Sequence, residues 1–278
     1  MESKILIIMS GKGSNSNKKG MKGNFIVIII LLLFAAFNFS VMASPPKIIA
    51  HRGYWKAEGS AQNSIRSLIK ADSIGCYASE LDIWMTADGV LIVNHDSDLN
   101  GVIIENSHSD EILNQKLDNG ELVPTLDDYL GVASGLPIRL VCEIKSHNNR
   151  EGEKIAIKKI LELVDKYNLR DKVDYITFSK DGFKNFINLS PSDANIYYLE
   201  GDYLPAQILF EGGRGIDYHI GVLKQHPEWI EESHRLGLFV NVWTVDSEDD
   251  MQWCIDHNVD FITTNEPEKL QILINKTN

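Results

Sequence analysis

The chain has 278 residues, 44% hydrophobic and 24% charged, with a formal net charge of −12. That composition is ordinary for a globular protein and excludes collagen, coiled coil and a disordered chain. The length suits one α/β barrel of about 250 residues, and the acidic balance argues against nucleic acid or an anionic membrane surface as the partner.

In chain order, the first feature is the apolar run FIVIIILLLFAAF from Phe25 to Phe37. Lys22 precedes it and Ser40-Val41-Met42-Ala43-Ser44 follows. A charged start, a short apolar stretch and small residues predict a secretory signal peptide over residues 1–43, cleaved after Ala43, with Met21 suited to be the natural start. The run is shorter than the roughly 20 residues a bilayer span needs. A secreted or periplasmic protein is expected; the alternative is an uncleaved membrane anchor. Five of the 27 basic and one of the 39 acidic residues lie before Ser44, so the remainder has 22 basic and 38 acidic residues, a net of −16. An anionic substrate would then need a local cation. Cys76, Cys142 and Cys254 offer neither a disulfide framework nor zinc-ligand spacing.

From Lys47 onward, short segments rich in Val, Ile and aromatics alternate with amphipathic helical ones. Strands are predicted at Lys47–His51, Ser79–Trp84, Ile138–Ile144, Asp174–Phe178, Asn195–Leu199, Asp217–Gly221, Leu238–Thr244 and Asp260–Thr264. Helical patterns include Ala61–Ile74, Glu153–Tyr167, Pro227–Leu236 and Ser247–Asn258. Eight such repeats predict an α/β fold, a (β/α)8 TIM barrel over residues 44–278. An open doubly wound sheet is the alternative, but His51-Arg52-Gly53 stands where its Gly-rich loop belongs. The rhythm breaks between strands two and three. Thr86-Ala87-Asp88-Gly89 predicts a hairpin turn, with Val90–Asn94 returning antiparallel. Residues 96–120 then form a small insertion over the mouth, ahead of a helix at Leu126–Val132.

Four clusters carry candidate chemistry, most of it at C-terminal strand ends, where barrels of this kind build their active sites. His51 closes the first strand, although a lone strand-end histidine is more often structural. Glu80 and Asp82 are two apart, so they share one strand face. In a dry interior both cannot stay ionised unpaired, and a hard divalent cation with oxygen ligands resolves the conflict. His95 follows the hairpin, and a second histidine near the mouth suits acid–base catalysis near neutral pH. Glu143 and Lys145 again share a face: a third carboxylate for a metal and a cation for a phosphate oxygen.

Taken together, His51-Arg52-Gly53, Glu80-x-Asp82, Thr86-x-Asp88-Gly89, His95-Asp96, Pro124-Thr125-Leu126, Glu143-x-Lys145, Trp243-Thr244 and Thr264-Asn265-x-Pro267 resemble the glycerophosphodiester phosphodiesterase family, from His51 to the end. The resemblance implies Glu80, Asp82 and Glu143 as metal ligands and His51 and His95 as the acid–base pair. It implies Arg52 and Lys145 on phosphate oxygens, and Trp243 lining the alcohol side. It further implies Ca²⁺ or Mg²⁺, with flexible oxygen coordination favouring Ca²⁺. The implied reaction yields glycerol 3-phosphate and an alcohol, with the substrate's own 2-hydroxyl as nucleophile. Two departures stand out. Ala61-Gln62-Asn63-Ser64 replaces the usual Pro-Glu-Asn-Thr, and the insertion shows Asp98-Leu99-Asn100-Gly101 in place of the usual Leu-x-Arg-Thr after His-Asp. The competing functions are a membrane-acting phospholipase on the same barrel and a non-catalytic phosphodiester-binding protein.

Overall fold

Side chains alternate along each central strand, and that alternation builds the layers. The computed structural model describes residues 44–277; the expected signal peptide lies outside them. Eight parallel strands are β1 (Lys47–Ala50), β2 (Ala78–Met85), β6 (Arg139–Ile144), β7 (Val173–Thr177), β8 (Asn195–Tyr198), β9 (Gly215–His219), β10 (Phe239–Trp243) and β11 (Phe261–Thr264). They follow one another around the sheet, and β1 pairs with both β11 and β2, which closes the barrel. This is the (β/α)8 barrel that the repeats predict.

The strands bury two different faces. Ile48, Leu81, Ile83, Cys142, Ile216, Val240, Val242 and Ile262 point outward into one large apolar layer with the surrounding helices. Ile49, Ala78, Val141, Ile176, Tyr197 and Phe261 form a smaller cluster inside the barrel. Each fully buried Val, Leu or Ile contributes roughly 1.5–3 kcal/mol, so the outer layer carries most of the stability. The interior is left free to hold polar side chains. Ser64, Thr125, Ser179 and Ser247 cap helices through their hydroxyl oxygens, each removing an orphan backbone donor.

Element boundaries shift by up to four residues from those expected, and two of the shifts bear on the site. The first helix begins at Ile65 rather than Ala61, because residues 61–64 form the loop that reaches the site. The strand expected at Asp217–Gly221 is Gly215–His219, and Ile220 and Gly221 open a short helix instead. Gly215 is compatible with a strand because the backbone is crowded there: a Cβ would lie 2.2 Å from the Phe239 carbonyl oxygen.

β3 (Leu91–Val93) returns antiparallel beside β2, with Ile83 opposite Val93. Gly89 turns this hairpin at φ 83°. The insertion holds a small pair, β4 (Asp98–Leu99) with β5 (Val102–Ile103), and a short helix at Ser109–Leu113. Ile92, Ile104, Ile112 and Val123 gather around Trp84 as a separate apolar cluster. Trp84 also donates its indole N–H to the His95 carbonyl at 3.2 Å. Among the described residues no helix is long and apolar enough to cross a membrane.

Candidate active site

Ala78, Glu80 and Asp82 share the inner face of β2, so Glu80 and Asp82 project into the barrel together. β6 pairs with β2 in the register Asp82↔Glu143, which sets Glu143 beside them. One carboxylate oxygen from each lies within 4.8 Å of the others. All three residues are buried, at 2%, 0% and 7% exposure. Burial, then Asp82 and Glu143, push the Glu80 carboxyl well above its ordinary range. Burial and Asp82 raise Glu143 to about 8. Asp82 moves the other way: burial opposes it, but Lys145, His95 and Asn63 outweigh burial and hold it ionised.

Lys145, two residues beyond Glu143, places Nζ 2.9 Å from Asp82 Oδ1 and 2.8 Å from Glu143 Oε1. At these distances one ammonium serves both carboxylates, whereas Glu80 Oε1 has no hydrogen-bond partner. Burial works against the Lys145 ammonium, yet Asp82 and Glu143 more than compensate and raise its pKa. One lysine and a partly engaged arginine leave three crowded carboxylates under-compensated. A hard divalent cation fits this donor set, all oxygen and buried.

The first loop supplies the next shell. Arg52 adopts φ 57° and Gly53 φ 74°. That left-handed turn aims the Arg52 backbone N–H at Glu80 Oε2, 2.7 Å away. Only glycine suits position 53, since a Cβ would stand 2.2 Å from Ser67 Oγ. The Arg52 guanidinium lies 3.6 Å from Asp82 Oδ2 and donates to Gln62 Oε1. Asn63, also left-handed at φ 59°, grips Asp82 twice: its Nδ2 donates to Oδ2 at 2.8 Å, and its Oδ1 accepts from the Asp82 N–H at 3.1 Å. The residue sequence reasoning named only as part of a loop motif is thus the carboxylate's direct holder.

The two histidines arrive by different routes. His51 follows β1, where Nδ1 lies 2.9 Å from Asn265 Oδ1. Asn265 has a fixed orientation. Its Nδ2 donates to Asp246 Oδ2 at 2.8 Å, and its Oδ1 also accepts from Trp55 Nε1 at 2.8 Å. An acceptor therefore faces His51, so Nδ1 carries the proton and Nε2 is free to exchange one. Burial, followed by Arg52, lowers the His51 pKa to about 4. His95 is carried in by the hairpin: the Asn94 N–H donates to the Asp82 carbonyl at 3.0 Å, which sets the next residue at the mouth. Its Nδ1 lies 2.7 Å from Asp96 Oδ1, so again Nε2 is the exchangeable nitrogen. Burial lowers its pKa as well.

A chamber of about 120 Å³ joins these groups. His51, Arg52, Glu80, His95, Glu143 and Lys145 line one side; Ile176, Phe178, Leu199 and Trp243 line the other. Trp243 packs edge-on against Phe178 at 5.4 Å and donates its indole N–H to the Asp217 carbonyl at 2.9 Å. Asp217 lies on the floor of this side and is raised to about 7 by burial. All eight residues singled out from sequence lie at this end of the barrel, Asp82 buried just behind the lining. Asn63, Asp217, Asp246 and Asn265 were not singled out. The remaining watched histidines have structural partners: His147 accepts from the Met85 N–H, and His219 caps the helix that follows it.

Residues 51–269 match the sequence pattern of the glycerophosphoryl diester phosphodiesterase family. The chain belongs to that family. A glycerophosphodiester phosphodiesterase from Parabacteroides distasonis is 45% identical, with a TM-score of 0.82 over 84% of this chain and 98% of that one. The curated glycerophosphodiester phosphodiesterase of Caldanaerobacter subterraneus subsp. tengcongensis is 26% identical over 82% of this chain and 98% of its own. That of Bacillus subtilis is 28% identical over 89% and 97%. The family's enzyme class, phosphoric diester hydrolase, is the class of this chain.

Proposed function

We propose that this protein hydrolyses glycerophosphodiesters to glycerol 3-phosphate and an alcohol, with a divalent cation held by Glu80, Asp82 and Glu143 and two histidines exchanging the protons. The observation that carries this is the meeting of three under-compensated buried carboxylates with His51, His95 and Lys145 around one chamber. Bound there, the cation supplies charge neutralisation for the phosphodiester. Ca²⁺ suits the set better than Mg²⁺, because it tolerates irregular all-protein oxygen coordination.

The chain's own groups do the rest. Lys145 and Arg52 set positive charge against the non-bridging phosphate oxygens, a preorganised stabilisation that strengthens in a dry site. One imidazole takes the proton of the attacking hydroxyl at Nε2; the other gives a proton to the leaving alkoxide. With the substrate's 2-hydroxyl attacking, a cyclic phosphate forms as the headgroup alcohol departs. The histidines then reverse roles while water opens the ring. Asn265 and Asp96 keep both imidazoles in the tautomer this exchange needs. Trp243, Phe178 and Leu199 bound the apolar side of the chamber and exclude water. The barrel domain runs from Ser44 to the end, preceded by a cleaved signal peptide that delivers it to the periplasm or the medium.

Incubation with glycerophosphodiesters and Ca²⁺ tests this, with glycerol 3-phosphate and the free alcohol quantified. Equimolar release of both is expected. Turnover confined to phospholipid vesicles would favour the membrane-acting phospholipase instead. Binding without turnover would favour the non-catalytic role.

A further inference from the structure

Beyond His95 lies a second cleft, of about 270 Å³, between residues 61–63 of the first loop and residues 94–100 and 116–118 of the insertion. His95 lines both this cleft and the metal-side chamber. Asn63, at the cleft's inner end, hydrogen-bonds Asp82 directly. The cleft therefore opens next to the phosphate position, away from the wall of Ile176, Phe178, Leu199 and Trp243. A phosphodiester is tetrahedral at phosphorus, so its two ester arms diverge. One arm lies along that apolar wall; the other leaves past His95.

We propose that this cleft is the headgroup subsite and that it selects a small headgroup bearing a primary ammonium. The assignment rests on the phosphodiesterase reading above and adds its substrate class. The lining is made of amides and charged groups, with Leu99 and Leu117 the largest apolar side chains, and no Phe, Tyr or Trp lines it. A trimethylammonium headgroup has no N–H to donate and relies on aromatic faces for recognition, which are missing here. A primary ammonium donates three hydrogen bonds, and the cleft offers acceptors. Asp96 is held on His95. Asp118 lines the cleft and has no ion-pair partner among the described residues. Asn100 uses its Nδ2 on Gln115 Oε1 at 2.7 Å, leaving Oδ1 as an acceptor. Besides His95, Lys116 is the basic residue that lines the cleft.

Steady-state kinetics on the Ca²⁺-loaded full chain decide the matter, using glycerophosphoethanolamine, glycerophosphocholine and glycerophosphoglycerol. The wild type should turn over the ethanolamine diester with the higher kcat/KM of the two nitrogen-bearing substrates. Asp118→Asn should lower that value roughly three- to five-fold, the scale of one solvent-exposed ion pair, chiefly through KM. Asp118→Lys should lower it further. Glycerophosphoglycerol, whose headgroup is uncharged, should lose less than the ethanolamine diester in both variants, and far-UV circular dichroism should show that both fold. A uniform fall on all three substrates, or unchanged ethanolamine kinetics in both variants, would overturn the subsite. Absence of turnover on any of the three by the wild type would overturn the underlying phosphodiesterase reading as well.

Discussion

The two walls of the central chamber are built from the same barrel strands by the same alternation, yet they differ in almost every physical respect. The β1–β2–β6 wall concentrates three buried carboxylates with a lysine, an arginine and a histidine that are half-buried. The β7–β10 wall offers Ile176, Phe178, Leu199 and Trp243. The charged wall is under-satisfied: Glu80 Oε1 lacks a donor, and Asp82 and Glu143 share the single Lys145 ammonium. The opposite wall is mainly apolar and its Trp243 indole N–H is bonded, although the buried Asp217 Oδ1 at its floor also lacks a partner. A barrel stabilised by its outer layer can therefore tolerate an electrostatically frustrated inner wall, and that frustration is what a cation and a phosphodiester would relieve.

Substitutions should separate the walls cleanly. Glu80→Gln removes a carboxylate from the charged wall and should abolish most turnover, by roughly 10³-fold or more at fixed Ca²⁺; initial rates of glycerol 3-phosphate release measure it. His51→Ala and His95→Ala, tested singly, should each lower kcat by about 10²- to 10⁴-fold. Near-normal turnover in either would remove that residue from the proton exchange. On the opposite wall, Trp243→Ala should act mainly on KM, by about tenfold, with kcat changed less, the mark of lost uniform binding. Asn265→Ala should lower kcat by about tenfold with KM little altered. It removes one hydrogen bond that fixes the His51 tautomer, a contact on the scale of about 1 kcal/mol.

The smallest effect is on stability. Glu143 is raised to about 8 and Asp217 to about 7, and Glu80 is raised too. Groups raised this way contribute stability below their unfolded pKa and lose it as pH climbs through the folded value. His51 is lowered to about 4, so its opposing loss is confined below its ordinary value of 6.5. Between pH 6.5 and 8 the carboxylates alone act: the Tm of EDTA-treated protein should fall across that window. Added Ca²⁺ should raise Tm more at pH 8 than at pH 6.5, since fewer protons need displacing.

The barrel was legible because alternating strands and helices write a parallel sheet into local pattern. The Glu80, Asp82 and Glu143, Lys145 pairs were legible because spacing of two fixes one face. The true start of β9 was not, since Gly215 serves close backbone approach to Phe239, a contact between distant segments. Nor did the sequence mark Asn63 as a holder of Asp82, because its role depends on a left-handed backbone and a partner 19 residues away. The Asp246–Asn265–His51 chain spans up to 214 positions, and nothing local distinguishes such an asparagine from an ordinary loop residue.

The claim that most of this depends on is that the charged wall holds a divalent cation that turnover requires. Calcium titration into EDTA-stripped wild-type protein and Glu80→Gln, following Tm and glycerophosphodiester turnover on the same samples, tests it directly. The wild type should gain Tm and activity together along one saturation curve, while Glu80→Gln remains folded and gains little of either. Full turnover by the stripped wild type, or equal calcium responses in the two proteins, would contradict it.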